Sequence, residues 1–375
     1  MKRILAVTGV CAALTTLTPL AHAQQNSQCA NPSGRYAGGV PWGQKLVDPA
    51  KIWPLTTGTG QTVAVLAPGV DGDNGQFGPG QILGNADADC DGRGTVAAGI
   101  VGAQKSSATT FTGIAPGVKL LPVKADPANL AAAIDTAAQA KAGVILVAVP
   151  SPVDSPALTA AVAGAKERGS VVIAPAGATQ QGARSYPAAT PGVLAVGSVN
   201  QAGEPVQQES GDYIRISAPG ADLVSTSADA NGQVAHRYLI SDPSLAAAYV
   251  AGAAALVRAY HPSLTPDQVV TRLLLTANRP ASGAQDPKRG WGMLDAYAAV
   301  SAQIPADATP PGAQGKSAGS AGSIIPAQAA RRPESDTFSG VIAVGGVGAA
   351  VVAGIAVAAV RSGRKRGWRP GRFKA

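Results

Sequence analysis

Residues 241–260, SDPSLAAAYVAGAAALVRAY, form the segment around which the rest of the chain is organised. After Asp242, no charged side chain interrupts this run of small and apolar residues until Arg258. Asp242 is a typical N-cap residue, and Pro243 suits the first helical position because its missing N–H is not needed there. A helix that is apolar on every side is buried on every side. We therefore predict a buried central helix that begins at Pro243.

Ser244 lies in the first turn of this predicted helix, and two interpretations of it are open. Backbone N–H groups at a helix N-terminus carry partial positive charge and favour an anion, which suits a nucleophile. The alternative is a small polar residue with no chemical role.

Short apolar segments alternate with helical segments through the middle of the chain. Apolar runs closed by turn residues predict buried strands, and such strands are typical of a parallel sheet covered by helices on both faces. The sequence therefore predicts an α/β fold of three layers with a mostly parallel central sheet. The predicted strands are residues 63–66, 119–123, 144–149, 171–174, 193–198 and 214–217, and the predicted helices besides the central one are residues 94–101, 127–142, 155–168 and 265–275.

Both ends of the chain carry targeting signals. A basic start, an apolar run and a small-residue site at Ala23 predict a secretory signal peptide. Residues 340–360 are uncharged and long enough to cross a bilayer, and the basic residues that follow predict a cytoplasmic end. We expect a single-pass protein of the cell (inner) membrane with an extracytoplasmic domain. The predicted order is a signal peptide (1–23), an N-terminal extension (24–60), the α/β domain (61–300), a Pro-, Gly- and Ser-rich linker (301–339), the transmembrane helix (340–360) and a basic tail (361–375).

The formal net charge of +8 is concentrated at the two ends. Lys2 and Arg3 contribute +2 and the last 15 residues contribute +7, which leaves −1 for the residues between them. A basic tail is not a basic domain face, so a nucleic-acid partner is not expected.

Cys29 and Cys90 are the two cysteines that remain after the signal peptide, which contains Cys11. An even pair in an oxidising compartment predicts one disulfide that ties the N-terminal extension to the domain. Two free thiols are the alternative.

Several motifs resemble the subtilisin-like serine proteases. The serine and the body of the central helix are similar to that family's nucleophile helix, although Asp242-Pro243 replaces its Gly-Thr and Ala248 replaces its Pro. Residues 41–300 resemble more closely the mycosins, the membrane-anchored subtilases of actinobacterial type VII secretion systems. The features that carry this resemblance are the motifs PW and WPL between Pro41 and Leu55, the run Asp89-Cys90-Asp91, the run Tyr249-Val250-Ala251-Gly252, and the order of signal peptide, linker and membrane span.

The resemblance implies where the catalytic groups of the family fall in this chain. The strand-end Asp falls on Ala67, the His on Arg93 and the oxyanion Asn on Ala178, so Ser244 alone is retained. A serine nucleophile needs a base, and a guanidinium keeps its proton at any relevant pH. We therefore expect a pseudoprotease rather than an enzyme, acting as a structural or gating component of a type VII secretion system. The expected partners are the membrane-complex proteins of that system, and no cofactor or metal is expected.

Two other functions stay open. The first is an active serine endopeptidase that uses Ser244 with a non-standard base. His236 and His261 are the histidines that follow the signal peptide. The second is a peptide-binding module that does not cleave.

Three further hypotheses concern the surroundings of the serine. Because the family's His and Ser positions face each other, Arg93 and Asp242 are predicted to form an ion pair across the cleft. Two unrelated solvated charges are the alternative. Residues 150–152, Pro-Ser-Pro, lack two of the N–H groups that a substrate strand would need, which predicts a degraded groove; an ordinary Pro-rich loop is the alternative. Residues 87–92 match the first half of an EF-hand loop, but Ala98 stands where a Glu is required, so no calcium site is expected.

Overall fold

A six-stranded parallel sheet forms the centre of the computed structural model, which describes residues 29–84 and 88–312. Its strands lie in the order β2-β1-β3-β4-β5-β6. All six strands predicted from the sequence are confirmed, with small shifts at their ends. The strands are β1 (Thr62–Ala67), β2 (Lys119–Lys124), β3 (Val144–Val147), β4 (Val171–Pro175), β5 (Leu194–Val199) and β6 (Ile214–Pro219).

Helices cover both faces of this sheet, as predicted. The α-helices of the described residues are α1 (Trp42–Val47), α2 (Arg93–Gly102), α3 (Leu130–Gln139), α4 (Pro156–Glu167), α5 (Pro243–Tyr260), α6 (Pro266–Thr276) and α7 (Ala296–Ser301). The alternation of β1 shows the two layers, because Val63 and Val65 belong to the core cluster of α2 and α5 while Ala64 and Leu66 belong to that of α3 and α4. The α/β class and the three layers are therefore confirmed.

The helix α5 is the buried element that the sequence predicts. Every residue from Ser244 to Val257 is buried. Asp242 caps the helix through its side chain, and Pro243 occupies the first turn. A capping box of Thr265 and Gln268 starts α6 in the same layer, at the first residue of the helix predicted over 265–275.

Besides the short helix α7 and a 3-10 turn at Pro49–Lys51, two features of the structure are absent from the sequence-based prediction. An antiparallel pair of strands, β7 (Leu223–Thr226) and β8 (His236–Ile240), leads directly into α5. The helix α1 lies in the N-terminal extension, for which the sequence analysis gives no helix. The ring N–H of Trp42 in α1 donates to the carbonyl oxygens of Ala221 and Asp222, which anchors the extension near β7.

The topological switch point of the sheet, where successive strands begin to be added on the other side, lies between β1 and β3. From β1 the chain passes to β2 on one side, and the sheet then continues from β3 on the other side. Crevices outside the carboxyl ends of strands at such a point are the usual binding sites of open α/β sheets. Ala67 ends β1 at this edge, and Arg93 begins α2 above it.

Several predictions fall outside the described residues. They are the signal peptide, the transmembrane helix at residues 340–360, the cytoplasmic tail and nearly all of the linker. Within residues 29–84 and 88–312, no helix combines the length and the hydropathy of a membrane span. The domain boundaries drawn from the sequence stay predictions.

Candidate functional site

Arg93 opens α2 directly beside the carboxyl end of β1. Its backbone N–H donates to Asp91 Oδ1 at 3.0 Å. The next residue, Gly94, lies so close to β1 that an added Cβ would collide with the carbonyl oxygen of Gly69 and lie 2.7 Å from the Cβ of Ala67. The close approach of these backbones brings together Ala67 and Arg93, the two positions that the sequence analysis related to the Asp and the His of the family.

The predicted ion pair between Arg93 and Asp242 is confirmed. Arg93 Nη1 lies 3.2 Å from Asp242 Oδ2 and also donates to the carbonyl oxygen of Ala148, at 3.4 Å. The side chains of Arg93 and Asp242 are 32% and 24% exposed. Asp242 Oδ1 accepts the backbone N–H of Ser244 at 2.8 Å, so one carboxylate both caps α5 and binds the arginine.

Ser244 faces this ion pair from the first turn of α5. The residue is 1% exposed, and its Oγ is buried without a hydrogen-bond partner among the described residues. Neither later histidine contacts this oxygen. His261 Nε2 binds the carbonyl oxygen of Val300, and His236 lies in the sheet of β7 and β8.

The ring of His236 is held in one tautomer by two hydrogen bonds. Nδ1 accepts the backbone N–H of Tyr36 at 3.0 Å, so Nε2 carries the proton and donates to Gln76 Oε1 at 2.6 Å. Burial lowers the pKa of His236 from 6.5 to about 4. This histidine is therefore a neutral link between the N-terminal extension and β8.

Ala178 lines the cavity that Arg93 and Ser244 also line, and Glu209 holds the loop that contains Ala178. The Ala178 backbone N–H donates to Glu209 Oε2 at 2.7 Å. Glu209 is fully buried and also accepts the Ser185 N–H at 2.8 Å, the Ser185 hydroxyl at 2.7 Å and the Tyr213 hydroxyl. Burial, and then the nearby Glu209, raise the pKa of Tyr213. Sequence reasoning missed Glu209, because a single acid in an irregular loop carries no pattern.

The loop of residues 150–152 forms the edge next to Ala178. Ser151 has the only N–H of the three residues, since the other two are prolines. That N–H donates to the Tyr186 carbonyl oxygen at 2.8 Å, and the Tyr186 N–H donates back to the Ser151 carbonyl oxygen at 2.8 Å. Both main-chain groups of Ser151 are thus engaged within the domain, and the degraded groove stays a prediction.

Three neighbouring cavities connect these residues. A cavity of about 230 Å³ is lined by Arg93, Asp242 and Ser244 together with Asp91 and Arg237. A second cavity of about 390 Å³ shares Arg93, Asp242 and Ser244 and extends to Ala178. A third cavity of about 270 Å³ shares Pro150, Gly177, Ala178 and Thr179 with the second one. The cleft is therefore continuous from Arg93 to the loop of residues 150–152.

Asp89 is hydrogen-bonded to the first turn of α2. Its Oδ2 accepts both the backbone N–H and the hydroxyl of Thr95, each at 2.7 Å, while its Oδ1 is buried without a partner among the described residues. Burial, and to a smaller extent the neighbouring Asp91, raise the pKa of Asp89 from 3.8 to about 6. A carboxylate oxygen engaged in capping is poorly placed as a metal ligand, and residue 87, where the EF-hand-like run begins, lies outside the described residues.

The predicted disulfide is present. Cys29 is bonded to Cys90, and the Ala30 N–H donates to the Cys90 carbonyl oxygen. Ser33 and Gly34 then pair with His236 through backbone hydrogen bonds. The extension is thereby tied to the segment before α2 and to β8, which lead to Arg93 and to Asp242.

Comparison with known proteins places this chain in a family. The subtilase family matches residues 78–292. Mycosin-3 of Mycobacterium tuberculosis is 32% identical, across 93% of this chain and 90% of the relative. The chain belongs to the mycosin group of the subtilase family. The subtilisin-like fold expected from the sequence is thus confirmed.

Two solved structures extend the comparison. One is described as the serine protease MycP1, an essential component of the type VII (ESX-1) secretion system. It has a TM-score of 0.63 and 30% identity, and covers 73% of this chain and 92% of its own. The other belongs to the periplasmic assembly of the ESX-5 inner membrane complex. It has a TM-score of 0.65 and 26% identity, and covers 79% of this chain and 93% of its own.

These relatives correct the prediction that the chain is not an enzyme. The subtilases are a family of enzymes, and the MycP1 relative is described as a serine protease. The prediction is therefore wrong. It inferred the class of the whole protein from the residue types at three positions, whereas the fold and the comparisons over most of the chain point to an enzyme family.

Proposed function

We propose that this chain is a mycosin of a type VII secretion system, associated with the inner membrane complex as a structural or gating component. The observation that carries the proposal is the similarity to a protein of the ESX-5 periplasmic assembly over 79% of this chain and 93% of that one. The proposal places the described domain on the outer side of the cell membrane. It also assigns the anchor to residues 340–360 and the cytoplasmic tail to residues 361–375.

The proposal also assigns family positions to the site residues. Ser244 takes the nucleophile position, Arg93 the His position, Ala67 the Asp position and Ala178 the oxyanion position. Two observations support these assignments. Gly94 packs against Ala67 beside Arg93, and Arg93, Ala178 and Ser244 line one cavity.

Gene deletion and complementation in the native host test the structural or gating role. Loss of the chain is expected to abolish secretion of the substrates of its system, and the full chain is expected to restore it. The matched variant is Ser244→Ala, which removes one hydroxyl from a buried position. Restoration by Ser244→Ala supports the structural or gating role, whereas normal secretion after deletion contradicts it.

Peptide hydrolysis at Ser244 is the second candidate function, and membership of an enzyme family favours it. The Ser244 hydroxyl lies at the electropositive start of the 18-residue helix α5, where developing negative charge is stabilised. Because Arg93 stays protonated, the reaction needs another base. Asp242 is the carboxylate that already contacts the Ser244 N–H, at 2.8 Å.

Labelling with a fluorophosphonate probe separates the two functions. Hydrolysis predicts modification of Ser244 in the intact protein and no modification of the Ser244→Ala variant. Absence of label under conditions that modify an active subtilase would contradict hydrolysis at this residue. The structural or gating role does not depend on the result.

A further inference from the structure

We propose that the cleft between Arg93 and Ser244 binds the C-terminal carboxylate of a peptide, and that the ligand displaces Asp242 from Arg93. This inference rests on the proposed function only in so far as a secretion complex brings polypeptides to this domain. It assigns a ligand class to a site in which a guanidinium replaces an imidazole.

Arg93 supplies the cation that a carboxylate requires. Its Nη1 binds Asp242 Oδ2 and the Ala148 carbonyl oxygen, and its Nε lies 3.8 Å from Asp91 Oδ2. The Nη2 group of Arg93 forms no hydrogen bond to another described residue. The Arg93 side chain is 32% exposed and lines the cleft. A guanidinium presents its N–H groups as a planar fork that matches the two oxygens of a carboxylate.

Ser244 supplies a second donor at the same place. It lines both cavities that Arg93 lines, and its hydroxyl is buried without a partner among the described residues. A buried hydroxyl without a partner costs free energy, which a ligand oxygen would recover. The N-terminus of α5 adds a favourable electrostatic field for an anion.

The Arg93–Asp242 pair is suited to exchange. Both side chains are partly exposed, and ion pairs in such surroundings contribute at most about 1 kcal/mol. Asp242 would keep its hydrogen bond to the Ser244 N–H, which involves its other oxygen. Arg93 can therefore turn to a ligand carboxylate without uncapping α5.

The charges of the side chains that line the cavity of about 230 Å³, Arg93 included, sum to zero. Asp91 and Asp242 contribute two negative charges, and Arg93 and Arg237 contribute two positive ones. The Arg237 Nη1 group binds the Asp91 carbonyl oxygen at 3.1 Å, so it lies on the same side of the cleft. Asp242 is thus the main competitor of an incoming carboxylate, and removing its charge should favour the ligand.

The cavities leave room for the peptide that carries the carboxylate. From Arg93 the cleft continues through about 390 Å³ to Ala178 and then into the cavity beside residues 150–152. The Ala178 N–H is already bound to Glu209, so it is not a donor for the ligand. The carboxylate is therefore held by Arg93 and Ser244, and the last side chain of the peptide points towards Pro150 and Gly177.

The test is fluorescence anisotropy on the full chain in detergent, with a labelled peptide Ala-Ala-Pro-Leu in two forms. One form ends in a free carboxylate and the other in an amide. We expect the free acid to bind about ten-fold more tightly, because a hydrogen bond to a charged group is worth that much. Equal affinity for acid and amide would overturn the proposal.

Two matched substitutions sharpen the test. Arg93→Gln should remove the preference for the acid, whereas Asp242→Asn should increase affinity for the acid several-fold and leave the amide unchanged. Asn is also a good N-cap, so Asp242→Asn keeps the start of α5 intact. Arg168→Gln, at an exposed position after α4, is the control and should change nothing. An unchanged acid affinity in Asp242→Asn would overturn the exchange of partners.

A competition arm distinguishes a peptide from a small anion. Acetate carries the same group without the chain, and we expect it to displace the peptide only at much higher concentration. Displacement by acetate at the concentration of the peptide would overturn the peptide as ligand. Failure of these binding tests leaves secretion and complex association unaffected, so it is distinguishable from failure of the proposed function.

Discussion

Glu209 Oε2 accepts the backbone N–H of Ala178 at 2.7 Å, which fixes the loop on one side of the cleft from within the domain. The same carboxylate accepts three further hydrogen bonds, from the N–H and hydroxyl of Ser185 and the hydroxyl of Tyr213. All four partners are donors. The shape of the cleft at Ala178 therefore depends on a buried anion.

We expect Glu209→Gln to destabilise the protein by about 2–3 kcal/mol, because its amide nitrogen would face donors in a fully buried site. Tyr213→Phe removes one donor and is expected to cost about 1 kcal/mol. Urea unfolding followed by circular dichroism measures both. Equal stability of Glu209→Gln and the wild type would show that the carboxylate does not hold the loop.

The disulfide is expected to contribute substantially to stability. The two bonded cysteines are 61 residues apart in the sequence. The cross-link lowers the entropy of the unfolded chain, which stabilises the folded state by about 4 kcal/mol. The double variant Cys29→Ser with Cys90→Ser should therefore unfold at a lower urea concentration. The wild type in excess reductant is the control and should show the same loss, whereas an unchanged midpoint in both would contradict this role.

His236 predicts a specific dependence of stability on pH. In the unfolded chain the His236 imidazole has a pKa near 6.5. In the folded chain burial lowers this pKa to about 4, so the ring is protonated only at lower pH. Stability contributed by the neutral ring is thus fully present above pH 6.5 and is lost as pH falls to 4, by up to about 3 kcal/mol.

The measurement compares wild type with His236→Gln across this pH range. Asp89 changes stability in the opposite direction, because its raised pKa favours the folded state at low pH and this advantage is lost as pH rises from 3.8 through about 6. Both proteins contain Asp89, so its contribution drops out when the unfolding free energy of His236→Gln is subtracted from that of the wild type. A difference that stays constant from pH 7 to pH 4 would contradict the buried neutral histidine.

At Gly94, in the first turn of α2, the neighbouring backbone leaves no room for a side chain. Gly94→Ala would drive a Cβ into the Gly69 carbonyl oxygen and against Ala67, and we expect a loss of about 1–3 kcal/mol. Gly39→Ala is the control, because nothing lies within 4 Å of its added Cβ. Thermal unfolding of both variants gives the comparison, and equal melting temperatures would mean that α2 and β1 do not approach as closely as described.

The sequence predicts the central sheet and α5 well because burial leaves a strong pattern. A short apolar segment such as residues 63–66 is stable only as a buried strand, and the apolar run after Pro243 only as a buried helix. The N-cap residues Asp242 and Thr265 mark where α5 and α6 begin. The disulfide follows from the parity of two cysteines in an exported chain.

The rest of the structure depends on contacts that leave no local pattern. The β8 sequence HRYLI alternates poorly and carries Leu239 in a left-handed conformation at φ 54°, so its pairing with β7 is not predictable. Glu209 and Ala178 are 31 residues apart, and their hydrogen bond follows from the tertiary fold alone. The contact between Arg93 and Asp242 was predictable only through resemblance to a family in which those positions face each other.

The proposed function depends on association with a type VII secretion membrane complex. The most direct measurement is purification of the tagged full chain in mild detergent from its native host, followed by native electrophoresis and mass spectrometry. We expect the chain to migrate in a large assembly together with the inner-membrane proteins of that system. Recovery of the intact, membrane-extracted chain without those proteins would contradict it.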